Sequence, residues 1–212
     1  MNSFLPSLPN MAEHFGSSTA LMGLSVGVYL GTSAIFQILV GPLSDRIGRR
    51  TVSLWALIIF IVVSISCVYA PNTFVFMCLR ALQAIAACTF VVARAIVRDT
   101  TETQASGSKI AYISMGTAIC PMFGPALGGL MDGWFGWEAN FWFIGGLGLF
   151  ILIIAYFDLG ETVPENTQGF RQQFSEYPEL LLSRRFWGYC LASAFGAGAF
   201  FAYLGGGPFV GS

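Results

Sequence analysis

Gly41-Pro42-Leu43-Ser44-Asp45-Arg46-Ile47-Gly48-Arg49-Arg50 sets three arginines and an aspartate in one short turn between two long apolar runs, 20–43 and 52–69. Runs of this kind are what a crossing of roughly 30 Å of hydrocarbon requires, about 20 predominantly apolar residues each. Working outward from the turn, comparable runs recur at 74–97, 110–131, 141–157 and 186–204. No water is present at that depth to satisfy a backbone N–H or C=O, so each run is predicted to be an α-helix. Composition agrees: 55% of the 212 residues are hydrophobic and 10% charged, against about 25% charged in an ordinary globular chain. That leaves too little polar material to coat a soluble particle. The expected fold is all-α, a polytopic transmembrane helical bundle.

The connections alternate in charge. The turn at Asp45, the stretch from Arg98 to Lys109 and the long loop 158–185, with Arg171, Arg184 and Arg185, are basic; Ala70-Pro71-Asn72 and 132–140 hold no Lys or Arg. Every basic residue except Arg80 therefore falls on one side, the cytoplasm by the positive-inside rule, and residues 1–18 lie on the other. A net charge of -1, with every basic loop already committed to topology, leaves no surface for nucleic acid. Cys67, Cys78, Cys88, Cys120 and Cys190 stand in apolar runs without metal-type spacing and are read as packing residues. The single histidine, His14, sits in the outer segment, and no span carries a His/Asp/Glu cluster, which argues against a membrane enzyme.

Three spans carry residues that lipid crossing alone does not explain. Arg80, in Leu79-Arg80-Ala81-Leu82-Gln83-Ala84, stands about seven residues into the third span. A charge there costs several kcal/mol unless it is paired or snorkels to the interface, so it marks either a functional pathway or an outer-end anchor. In the fourth span Gly116, Cys120, Gly124 and Gly128 recur every four residues, with Pro121, Pro125 and Gly129 beside them. Small residues at that spacing admit a close helix neighbour, and prolines remove ladder bonds and bend the helix. Gly23, Gly27 and Gly31 repeat the device in the first span and are read as a helix contact.

The 41–50 turn resembles the cytoplasmic loop signature of the major facilitator superfamily, Gly-x-Leu-x-Asp-Arg-x-Gly-Arg-Arg, at Gly41, Leu43, Asp45, Arg46, Gly48, Arg49 and Arg50. Gly124-Pro125-Ala126-Leu127-Gly128-Gly129 is similar to the antiporter signature of that superfamily, with Cys120 where glycine is usual. Arg80 and Gln83 resemble the fourth-helix pattern associated there with proton coupling. Phe4-Leu5-Pro6-Ser7-Leu8-Pro9, Ala93-Arg94-Ala95-Ile96-Val97-Arg98-Asp99, Trp134-Phe135-Gly136-Trp137, Gly160-Glu161-Thr162 and Tyr203-Leu204-Gly205-Gly206 together resemble the Bcr/CflA type of drug/proton antiporter (bicyclomycin and chloramphenicol resistance). Two positions depart from that pattern: Asn2 where an acidic residue is common, and Glu138 where arginine is usual.

The resemblance implies the N-terminal half of such a transporter, from the end of its first helix to most of its seventh. It divides the chain into a bundle at 1–157, a central cytoplasmic loop at 158–185 and the start of a second bundle at 186–212. It implies multi-pass insertion in a bacterial inner membrane and no bound cofactor, with proton entry driving efflux of small, largely apolar compounds by a protein that is monomeric when complete. Transport of another solute by the same fold, or an inactive fragment, are the alternatives. Tyr29, Gln37, Arg80, Gln83, Tyr112, Ser114 and Phe200 are the pathway candidates. Gly41, Asp45, Arg46, Gly48, Arg49, Arg50 and Asp99 form the expected cytoplasmic gate. Gly116, Pro121, Gly124, Pro125, Gly128 and Gly129 form the antiporter face.

Overall fold

The computed structural model of the chain describes residues 3–162, 178–179 and 181–210, without the side chains of 103–105, 118 and 200–210. Asn2, Arg171 and the side chain of Phe200 therefore lie outside the described residues. Two compact units are separated, 1–165 and 166–212.

In the first unit a 3-10 turn, Leu5–Ser7, leads into the short helix α1 (Leu8–His14). There follow α2 (Thr19–Ile47), α3 (Arg49–Val68), α4 (Thr73–Gln83), α5 (Ala87–Thr100), α6 (Thr103–Phe135) and α7 (Glu138–Asp158). The second unit holds α8 (Arg184–Val210), which covers the sixth expected span. Among the described residues five helical stretches are long and apolar enough to cross a membrane: Thr19–Ile47, Arg49–Val68, Thr73–Thr100, Ser106–Phe135 and Glu138–Asp158. They are the first five expected spans, each extended by a few residues.

The ends of these helices follow from local chemistry. Ser18 Oγ accepts from Leu21 N at 3.2 Å to start α2, and Asn72 Oδ1 accepts from Val75 N at 2.9 Å to start α4; each cap satisfies one of the donors that a first turn leaves open. Between α2 and α3 the chain reverses through Gly48 alone, at φ +108°, a conformation that a side chain would strain. Gly136, at φ +84°, ends α6 in the same way.

The third expected span is not one regular helix. A 3-10 turn at Ala84–Ala86 divides α4 from α5 directly after Gln83. The side chain of Gln83 is drawn across to Ser64, and Thr89 Oγ1 donates to the Ala86 carbonyl at 2.7 Å. Tightened turns inside a helix of this kind often mark functional positions.

Toward the end of the bundle that holds Asn72 and Trp137 the core is Phe4, Leu8, Met11, Met22, Phe76 and Phe141, joining α1, α2, α4 and α7. A second cluster, toward the Asp45 end of the bundle, is Val40, Ala56, Cys88 and Val92. Aromatic edges hold the first together: Phe76 and Trp137 each meet Phe141 nearly at right angles, at centroid distances of 5.8 and 5.9 Å. The outward faces of α6 and α7 are apolar and open, including Phe123, Leu130, Phe150 and Ile154. Water would penalise such a surface, whereas lipid accepts it.

The small-residue device in the first span behaves differently from its expectation. The buried stripe of α2 runs through Met22, Ser25, Tyr29, Ser33 and Val40, while a Cβ built on Gly23, Gly27 or Gly31 meets nothing within 4 Å. The glycines follow the stripe by one or two residues, about 100° of helix rotation for each, so the close helix contact expected there is not made among the described residues. Of the cysteines, Cys67 and Cys88 fill core positions as read, whereas Cys78, Cys120 and Cys190 lie on the outside.

Candidate functional site

Arg80 lies seven residues beyond the start of α4, about 10 Å along the helix axis. It does not snorkel: it is 1% exposed, among the largest fully buried side chains of the bundle. Its Nη1 donates to Gln83 Oε1, one turn further on. Gln83 Nε2 in turn donates to Ser64 Oγ of α3 at 2.7 Å, and Ser64 Oγ donates to the Phe60 carbonyl at 2.6 Å. The guanidinium carbon stands 4.2 Å from the ring centroid of Phe4 and 5.1 Å from that of Tyr29, within the range of cation–π attraction. Among the described residues its Nε and Nη2 have no hydrogen-bond partner. A full positive charge is thus held in the bundle by one amide and two ring faces.

The structure brings together Tyr29, Arg80 and Gln83 of the expected pathway residues. Gln37 and Tyr112 are exposed elsewhere, and Ser114 Oγ donates back to the Ile110 carbonyl at 2.9 Å. Sequence reasoning passed over Ser64 and Phe4. A serine within Val63-Ser64-Ile65-Ser66 is a faint signal, because helical serines commonly satisfy themselves on the preceding turn, and nothing local shows that Phe4 folds back over Arg80.

At the opposite end Arg49, 4% exposed, is held between two carboxylates. Its Nη2 lies 2.9 Å from Asp45 Oδ1, on the last turn of α2, and its Nε lies 2.5 Å from Asp99 Oδ2, near the end of α5. A third carboxylate, read in the sequence only as part of the Gly160-Glu161-Thr162 stretch and not as a gate residue, enters from beyond α7: Glu161 Oε1 accepts from the Arg49 backbone N–H at 2.8 Å and caps the first turn of α3. A Cβ at Gly48 would meet the far end of that same flexible side chain, which can shift aside, so it is the positive φ that requires glycine there.

Two members of the expected gate stay out of this cluster. Arg46 is exposed and makes no ion pair among the described residues. Arg50 turns the other way, because one step along α3 rotates it by about 100°; its Nη2 donates to the Tyr156 carbonyl at 2.9 Å. Asp45, Arg49, Arg94 and Arg98, together with Gly41, Val91, Ala95 and Ile110, border a recess of about 290 Å³ beside the clasp.

The antiporter face is occupied at its outer half. The Ser3 backbone lies against Gly124 and so close to Gly128 that no Cβ could be placed there, while Pro6 rests on Gly129. Asn140, 1% exposed at the start of α7, donates through Nδ2 to Ser7 Oγ at 3.1 Å and to the Gly128 carbonyl at 3.2 Å, and Asn10 Nδ2 donates to Asp132 Oδ2 at 2.7 Å. Gly116 has nothing within 4 Å of a built Cβ, and Pro121 and Pro125 lie inside an α6 that runs through them without interruption.

The family model that matches this chain is that of the Major Facilitator Superfamily, over residues 1–212. The chain is 32% identical over 187 residues to a protein named multidrug resistance protein MdtL from Escherichia coli O139:H28 (strain E24377A / ETEC), covering 88% of this chain and 48% of that protein. Proteins of the same name from Shigella boydii serotype 18 (strain CDC 3083-94 / BS512) and Shigella flexneri serotype 5b (strain 8401) match at the same identity and coverage. The chain therefore spans about half the length of the curated relatives it matches. With its apolar helices, its single-residue reversal at Gly48 and a family match along its whole length, this multi-pass membrane chain belongs to the Major Facilitator Superfamily.

Proposed function

We propose that the complete protein exports small, largely apolar organic compounds in exchange for protons across a bacterial inner membrane, acting as a monomer with no bound cofactor. The observation that carries this reading is Arg80: a buried cation with two unfilled donors, walled by Phe4 and Tyr29. Such a group favours an anionic neighbour when one is present and repels cations when it is not. Protonation of a carboxylate near it would then change the local field enough to couple proton movement to a change of conformation.

Gln83 and Ser64 orient the guanidinium, and the 3-10 turn after Gln83 places a deformable joint next to it. The clasp of Arg49 with Asp45, Asp99 and Glu161 ties the cytoplasmic ends of α2, α3 and α5 to the strap beyond α7, so that they move as one body while the bundle rocks against a second one. The occupied glycine face of α6 keeps α1 seated during that motion. Relatives named for multidrug resistance support export of drug-like compounds.

The test is efflux of a lipophilic dye from cells making the complete protein. Export is expected to stop when the proton gradient is collapsed and to resume when it is restored. Dye export that persists without a proton gradient, or accumulation in place of export, would refute the reading.

A further inference from the structure

A groove of about 440 Å³ opens between α3 and α7 on the face away from Arg80, lined by Thr51, Trp55, Ile58, Leu152, Ile153 and Tyr156. Its length along α3, from Thr51 to Ile58, is about 10 Å. It starts at the cytoplasmic end of both helices, so it occupies one leaflet of a hydrocarbon layer roughly 30 Å thick. Its walls are almost wholly apolar, and Trp55 is 60% exposed within it. Between its end residues α7 carries no Asp, Glu, Lys, Arg or His; this is a helix composed for lipid.

Arg50 stands at the cytoplasmic lip, beside Thr51. Its guanidinium is fixed in place: Nη2 donates to the Tyr156 carbonyl at 2.9 Å, and its carbon lies 5.5 Å from the centroid of the Tyr156 ring. Unlike Arg49 next to it, Arg50 has no carboxylate within ion-pair distance among the described residues. An uncompensated, oriented cation at headgroup level over an apolar groove is complementary to one kind of molecule, an amphiphile with a negative head and an alkyl tail. The surrounding phase supplies that molecule in the cytoplasmic leaflet. We propose that the α3–α7 groove is a binding site for an anionic phospholipid, its phosphate on Arg50 and a segment of acyl chain against Trp55, Ile58 and Leu152.

The experiment uses the complete protein, purified from mixed vesicles of phosphatidylethanolamine with equal mole fractions of phosphatidylglycerol and phosphatidylcholine, and counts the phospholipids that remain bound by native mass spectrometry. Phosphatidylglycerol is expected to be retained about five-fold over phosphatidylcholine, the preference that one basic residue confers at a membrane surface. Arg50→Gln should abolish the preference without lowering the total lipid retained, and Arg50→Lys should keep most of it. Ile58→Trp, which fills the groove and leaves the cation in place, should reduce retention of both lipids. Absence of a preference in the unaltered protein, its persistence in Arg50→Gln, or undiminished retention in Ile58→Trp would each overturn the assignment.

Discussion

Arg49 and Arg80 are both buried arginines of one helical unit, 4% and 1% exposed, and the protein treats them in opposite ways. Arg49 has carboxylates on two sides and a third on its own backbone N–H. Arg80 has one amide, two ring faces and two unfilled donors. A neutralised cation of the first kind costs little once its partners are in place, and it ties helix ends together. A cation of the second kind is a standing expense for the fold, which makes it a poor stabiliser and a good candidate for function.

The contrast is broken most directly at Arg80. Arg80→Met in the complete protein should reduce dye export to background while the melting temperature of the purified protein stays level or rises, since replacing an incompletely paired buried charge by an apolar side chain of similar volume is neutral or stabilising. Arg49→Met should do the reverse in stability. It leaves Asp45 and Asp99 facing one another without their cation, at a cost on the order of 3 kcal/mol, read as a lower melting temperature and less protein in the membrane. If the two variants shifted stability alike, the distinction between clasp and functional charge would be lost.

Smaller effects sharpen it. Gln83→Leu removes the one side chain that bridges Arg80 to Ser64. Leaving buried donors unmade costs about 2 kcal/mol, and dye export should fall further than that loss of folded protein explains. Glu161→Ala deletes a helix cap and should cost about 1 kcal/mol, with Glu161→Gln costing less because its amide oxygen still accepts from the Arg49 N–H. Equal losses in the two Glu161 variants would mean that charge, not the cap, is what the carboxylate supplies.

Several of these features were legible in the chain before any fold was known. The apolar runs on either side of the turn at 41–50 gave the spans, because lipid imposes the same length on any sequence, and the sorting of Lys and Arg into alternate loops gave the expected sidedness. Asp45, Arg49 and Asp99 were legible as a group, and the structure brings them together. Arg46 and Arg50 were not separable from them by eye, since adjacent residues on a helix point about 100° apart and the motif does not show where the helix begins. Gly23, Gly27 and Gly31 looked like the repeat of Gly116, Cys120, Gly124 and Gly128, yet of these glycines only Gly124 and Gly128 receive a neighbour among the described residues.

By itself the sequence determined that the chain is threaded through lipid as helices and that Arg80 stands where a charge is expensive, and it set the expectation, by the positive-inside rule, of which ends face the cytoplasm. These are properties of single segments against a uniform solvent, and hydropathy and charge are enough to read them. Only the tertiary structure decided that Phe4 covers Arg80, that Ser64 completes its polar chain, that Glu161 returns from beyond α7 to cap α3, and that Ser3 and Asn140 close on Gly128. Each of these joins residues 19 or more positions apart in the chain, except Asn140 and Gly128, which meet across the α6–α7 turn. In every case the pairing depends on how helices rotate and pack against one another, which no local pattern encodes.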